Sequence, residues 1–282
     1  MIAAAAVLSF ALYAGLIALW SPDIRAGQDQ ESDIAIAVEH FLYDGTVPEA
    51  AIVGSSQAAR FPAAVLGPDV GNLALAGKNP LVGLEIIARS GRTPRRLYVE
   101  TDKLAEPTDT AFVDAVFAEP GYTLKRYVKA LRTTYQPVNV LVALLRRAAR
   151  GRDDIYYPAI VDPALHETLL SRQRRLLATL PDGNVLRNNL TELKHLAALL
   201  AGRGAELVFF EMPIDPALEK TPQVVAVRAA VLAAFPPQAT CWNDVAAPAG
   251  LPSTDGIHLD SEAAAHFWTA LAKTVCPSRN PR

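Results

Sequence analysis

Two short stretches at opposite ends of this 282-residue chain hold the side chains best suited to chemistry. The first is Gly54-Ser55-Ser56-Gln57, which directly follows the apolar run Ala50–Gly54. A serine hydroxyl is a weak nucleophile near neutral pH and needs a base. The second stretch, Asp255-Gly256-Ile257-His258, offers one. Histidine titrates in the right range for general-base work. A carboxylate three residues earlier, across an Asp-Gly turn, can fix its tautomer. Each stretch also has a plainer reading: Ser56 as an ordinary helix cap, and Asp255 and His258 as a turn aspartate beside a partly exposed histidine.

The elements around them must bring the two stretches together. Four apolar, β-rich runs occur, Ala50–Gly54, Val70–Ala74, Leu97–Thr101 and Glu206–Met212, with a short fifth at Thr240–Trp242. Helical patterns lie between them at Pro80–Arg89, Asn188–Gly202 and Thr221–Phe235, and a last helix follows Asp260. Apolar strands alternating with helices predict an α/β fold whose parallel sheet is covered on both faces. Sites in such sheets form at the carboxyl ends of the strands. Ser56 falls at one of these ends, and a helix is expected to begin at Gln57 and turn free amides towards it. The interval from about 103 to 180 is too long for one crossover. Its helix-like stretches, Tyr122–Thr133, Val138–Arg150 and Pro163–Leu180, predict a helical insertion.

The order Ser, then Asp-x-x-His near the C-terminus, resembles the SGNH or GDSL hydrolase superfamily. Gly54-Ser55-Ser56 stands for its first block and Asp255–His258 for its last. Asn72-Leu73-Ala74-Leu75-Ala76-Gly77 has the outline of the second block, with Ala74 in place of a glycine. Glu100-Thr101-Asp102-Lys103 departs from the usual Gly-x-Asn-Asp of the third. The resemblance implies a flavodoxin-like three-layer α/β/α sandwich and a catalytic set of Ser56, Asp255 and His258. It also implies an oxyanion hole from Ser56, Ala74 and Thr101, with no metal and no cofactor. Membrane-anchored members that assist D-alanylation of teichoic acids and O-acetylation of alginate are similar in plan. They imply acyl transfer or ester hydrolysis on a cell-envelope glycan, with an acyl donor and a membrane-bound O-acyltransferase as partners. A non-catalytic accessory protein of the same fold, binding a polysaccharide or such a partner, is the alternative.

Composition narrows the setting. The formal net charge is -2, so the chain as a whole is not built for nucleic acid. Gly121–Arg175 nevertheless holds eleven Lys/Arg against four Asp/Glu, either a surface facing something anionic or a solvated face. Val138–Leu145 followed by the basic Arg146–Arg152 also fits a membrane-contact segment. From Ile2 to Trp20 there is no charged residue, a length that spans the hydrocarbon core. Residues 1–22 are therefore expected to anchor the chain, and the resemblance implies the inner membrane, with a domain at 31–277 facing the periplasm or cell exterior. A cleaved signal peptide is the rival reading. Cys241 and Cys276, the only cysteines, have no zinc or thioredoxin spacing and can pair in an oxidising compartment, or stay free. His40, His166, His195 and His266 are scattered without metal spacing. Arg60, one helical turn after Ser56, is read as facing the site or as a plain surface charge; Glu211 and Asp215, flanking Met212-Pro213 at the end of the fourth run, as pocket lining or caps; and Tyr156-Tyr157-Pro158 as a sugar-stacking surface or core packing.

Overall fold

The computed structural model describes residues 2–151, 155–160, 162–243 and 251–276. Arg152 of the basic run and residue 277 at the expected domain edge lie outside these. The fold is α/β, with five parallel strands: β1 (Ala50–Gly54), β2 (Val70–Ala74), β3 (Arg96–Glu100), β4 (Glu206–Phe210) and β5 (Cys241–Trp242). They are ordered β2-β1-β3-β4-β5. Among the described residues there are eleven α-helices. They are α1 (Ile2–Trp20), α2 (Gln30–Tyr43), α3 (Ala63–Leu66), α4 (Pro80–Ser90), α5 (Thr110–Val116), α6 (Gly121–Tyr127), α7 (Pro137–Arg150), α8 (Pro163–Leu177), α9 (Gly183–Gly202), α10 (Pro222–Ala234) and α11 (Ser261–Leu271).

The chain divides into two compact units. One joins the N-terminal segment through Thr46 to Ala111–Ile155; the other joins Val47–Thr110 to everything from Tyr156 onward. The stretch from about 103 to 180 is thus split. Its second part belongs with the sheet, because Leu170 of α8 is buried against Leu218 and Ile257.

In the sheet unit, every residue of β1 is buried. Such a strand must be apolar on both sides, and it is. Ile52, Tyr98, Val208 and Phe210 share a core with Phe267 and Trp268 of α11. Val53, pointing to the opposite face, lies so close to α4 that a Cβ on Gly83 would come within 2.9 Å of its Cγ1. Asn79 starts α4 by accepting the Leu81 amide, and Pro80 occupies the first turn, where no amide is missed. Asp260 caps α11 through the Ala263 amide at 2.8 Å, which fixes where the loop carrying His258 ends. Cys241 on β5 and Cys276 beyond α11 form a disulfide.

The helical unit has a polar knot at its centre. Glu39 of α2 is 4 % exposed, and its carboxylate accepts from the Thr133 and Thr134 amides, the Thr134 hydroxyl and the Lys125 ammonium at 2.8–2.9 Å. A buried carboxylate is tolerable only when satisfied in this way. Around it, Ile17 of α1 packs with Ile36, Val140 and Ala143. Helix α1 is long and apolar enough to cross a membrane. Helix α7 buries Val140 and Ala143 and leaves Val138, Leu141, Leu144 and Leu145 exposed.

One expected helix is absent. From Gln57 the chain makes only a 3-10 turn, Ala58–Arg60, before the four-residue α3. Pro62 is the reason: the residue before a proline is held out of the helical region, and Phe61 is extended at φ -60°, ψ 116°. Ser56 therefore has no long helix dipole behind it.

The disulfide closes a loop of 35 residues around the last strand and helix. Replacing both cysteines by serine is expected to cost about 4 kcal/mol, measured as a lower urea midpoint, with a steeper slope because the freed unfolded chain is more expanded.

Candidate active site

Ser56 reaches the sheet's carboxyl edge because β1 ends at Gly54 and the next two residues turn. Glu100, the last residue of β3, holds that turn from below. Its carboxylate accepts the Ser55 hydroxyl at 2.6 Å, the Ser55 amide at 2.8 Å and the Ala58 amide at 3.2 Å. The fit is tight: a Cβ on Gly54 would stand 2.4 Å from Glu100 Oε2 and 2.8 Å from its Cβ. Only glycine lets the two strand ends approach in this way. Asn72 of β2 ties the same turn from the other side, donating to the Ala58 carbonyl at 3.2 Å.

The loop after Leu251 is built as tightly. Thr254 donates its amide to the His258 carbonyl at 2.7 Å, and the Ile257 and His258 amides donate to Asp255 Oδ1 at 3.2 and 2.9 Å. Gly256 turns at φ +94°, and a Cβ there would meet Leu170 at 2.5 Å. Arg60 clamps this loop to the Ser55–Ala58 turn. Its guanidinium donates to Thr254 Oγ1 and the Leu259 carbonyl, both at 2.9 Å, and stacks 4.1 Å over the Tyr157 ring. Arg60 and Tyr157 are thus engaged with each other.

The two stretches meet. Ser56 Oγ lies 2.7 Å from His258 Nε2, and His258 Nδ1 lies 2.9 Å from Asp255 Oδ2. Ionised carboxylate oxygens only accept, so Nδ1 carries the proton and Nε2 is left to accept from the serine hydroxyl. Both side chains are mostly shielded, at 17 % and 16 % exposure. Burial alone would raise Asp255. The hydrogen bonds and charge of His258, with the two loop amides, outweigh it and hold the carboxyl well below the usual range. Gln173 of α8 donates to the same Oδ2 at 2.8 Å. This fourth bond was not legible from the sequence, since no motif marks a glutamine on a distant helix.

The expected oxyanion donors are placed differently. Among the described residues the Ser56 amide donates to no acceptor, so it is free for a ligand. The Ala74 amide instead donates to Asn72 Oδ1 at 2.9 Å. Thr101 donates its hydroxyl to the Phe210 carbonyl at 3.2 Å and is 1 % exposed. Two of the three groups are therefore committed elsewhere. A threonine hydroxyl at a strand end bonds whichever carbonyl the neighbouring strand presents, and β4 presents one.

A pocket opens beside the triad, lined by Gln57 and Ile257, the chain neighbours of Ser56 and His258, and by Asp102, Glu211 and the inner side of α10. Glu211 is paired with Arg228 at 2.7 Å. Asp215 accepts the Ala217 amide and donates its own amide to the Gly256 carbonyl, so it supports the loop. Asp102 accepts the Met212 amide at 2.8 Å. Burial raises its pKa well above the usual carboxylate range, and the charges of Glu100 and Glu211 add to this.

A group with a raised folded pKa stabilises the protein fully below the unfolded value and loses that contribution as pH rises through the folded value. Asp102→Asn keeps the Met212 bond without the charge. Its melting temperature is expected to gain on that of the native chain as pH goes from about 5 to about 9; scanning calorimetry at the two ends checks it.

No family model matches the chain, and no curated protein or solved structure matches it.

Proposed function

We propose that this chain is a membrane-anchored serine acyl-transfer enzyme acting on esters of a cell-envelope glycan. The observation that carries the reading is the hydrogen-bonded series Ser56–His258–Asp255, at 2.7 and 2.9 Å. In this reading His258 Nε2 takes the Ser56 proton as Oγ attacks the acyl carbonyl carbon. The Ser56 amide donates to the developing oxyanion. Collapse breaks the bond to the leaving alcohol, which takes the proton back from Nε2, and leaves acyl-Ser56. Water or a glycan hydroxyl then attacks, giving its proton to His258; the Ser56 Oγ–carbonyl carbon bond breaks, and His258 returns the proton to Oγ. Asp255 stays ionised throughout and stabilises the imidazolium. Water as acceptor makes an esterase; the membrane anchor favours a glycan acceptor, hence an O-acyltransferase.

The strand order β2-β1-β3-β4-β5 is that of flavodoxin-like folds, with the site at the carboxyl edge. That supports the flavodoxin-like sandwich and the resemblance to SGNH hydrolases. One observation favours the non-catalytic alternative: the Ala74 amide and Thr101 hydroxyl are already engaged. Losing one oxyanion donor costs about 3 kcal/mol of barrier in other enzymes.

Three features support placement at the outer face of the inner membrane. The apolar α1 is one. The Cys241–Cys276 disulfide belongs in an oxidising compartment. Helix α7 exposes Leu141, Leu144 and Leu145 and has Arg147 and Arg150 in its last turn, the pattern of an interfacial helix.

A fluorophosphonate probe is expected to label Ser56 in the native chain and nothing in Ser56→Ala. Asp255→Asn should slow labelling by about 10³-fold or more, because the wrong tautomer is then favoured. Unchanged labelling of Ser56→Ala, or none of the native chain, leaves the accessory reading. In a separate measurement, a C-terminally tagged chain is expected to stay at full length in carbonate-washed membranes. Release as a shorter soluble form would make α1 a cleaved signal.

A further inference from the structure

Gln57 is the residue next to the nucleophile, and its side chain has no use inside the protein. It is 3 % exposed, and its carboxamide oxygen is buried without a hydrogen-bond partner. Native proteins rarely leave a buried amide unpaired, so such a group calls for an explanation. The backbone of Gln57 does not supply it, being already committed: its amide donates to Ser55 Oγ and its carbonyl accepts from Arg60. The side chain lines the pocket beside the triad.

The lining of that pocket is mixed. Val224, Val227 and Val231, on successive turns of α10, make its apolar wall with Ile214, Leu177 and Ile257, and Gln223 and Arg228 of the same helix are polar. Gln57 and Asp102 face the pocket from the polar wall. Asp102 uses Oδ2 for the Met212 amide, and burial favours its neutral form. The cations near the polar wall are balanced, Arg228 by Glu211 and Lys103 by Glu106. A carboxylate on a ligand therefore gains little here. A long plain alkyl chain would leave the glutamine amide unpaired, at an energetic cost. A short carbon stem carrying one neutral hydrogen-bonding group suits both walls.

We propose that this pocket recognises the acyl group, and that the Gln57 carboxamide pairs with a hydroxyl or amide substituent on a short acyl chain whose carbonyl carbon sits at Ser56. The assignment rests on the acyl-serine reading above. In the step it serves, the Ser56 Oγ–carbonyl carbon bond forms and the carbon–oxygen bond to the alcohol breaks. The serine proton passes through His258 to the departing alkoxide. Gln57 exchanges no proton; it selects.

The test compares nitrophenyl butyrate with nitrophenyl β-hydroxybutyrate, reading acylation of Ser56 in the detergent-solubilised full chain by mass spectrometry. The native chain is expected to favour the hydroxylated ester by about 10-fold or more, since a site built to pair a hydroxyl discriminates against its absence. In Gln57→Leu the ratio is expected to fall to near one. Its melting temperature should be no lower, because no hydrogen bond is lost. A native ratio near one, a ratio that survives in Gln57→Leu, a clear fall in melting temperature, or no acylation by either ester while Ser56 takes the fluorophosphonate probe would each overturn the pocket assignment alone. If Ser56 takes neither the probe nor either ester, the acyl-serine reading itself falls.

Discussion

A hydroxyl and an imidazole separated by 202 residues of sequence lie 2.7 Å apart, and the surrounding structure is arranged to hold them there. Neither group is on a long helix or in the middle of a strand. Both are on turns, which are mobile unless tied down. Glu100 accepts three bonds from the Ser55–Ala58 turn, Asn72 adds a fourth contact, and Arg60 joins that turn to the loop of His258. The hydrogen bond between the turns is therefore a consequence of these supports as much as of its own strength, which is modest for any single bond.

The supports have an electrostatic cost. Burial raises the pKa of Glu100, and Asp102 lies two residues on along the same strand end. Two acids so close cannot both ionise cheaply in a low dielectric. Asp255 lies in the opposite regime: four donors surround it and keep it ionised. Burial thus pushes the acid beside the pocket towards its neutral form, while donors hold the one behind the histidine charged. Separating carboxyl environments in this way is how acid and base roles are assigned in general.

The helical unit follows the same rule of satisfied burial in another setting. Glu39 is held by two amides, a hydroxyl and an ammonium, while Ile17 of the long apolar α1 packs onto α7. Helix α1 therefore shares a core with the helices of its unit. The exposed leucines of α7 fit the proposed membrane location.

Residue type alone placed the strands: the runs at 50–54 and 70–74 needed no correction, and 50–54, buried at every residue, is continuously apolar as such a strand must be. The Asp-x-x-His spacing allowed the Asp255–His258 pairing that the fold makes, and left a plain turn aspartate open beside it. Tertiary structure alone decided what the polar side chains at the strand ends bond to. Thr101 turns to a β4 carbonyl, the Ala74 amide to Asn72, and Gln173 reaches Asp255 from α8. It also decided that Gln57 faces a pocket with its carboxamide oxygen unpaired. The physical reason is range. Apolar patterning reports the local burial of a residue and repeats along the chain, whereas a hydrogen-bond partner is chosen by whichever distant group the fold brings within about 3 Å.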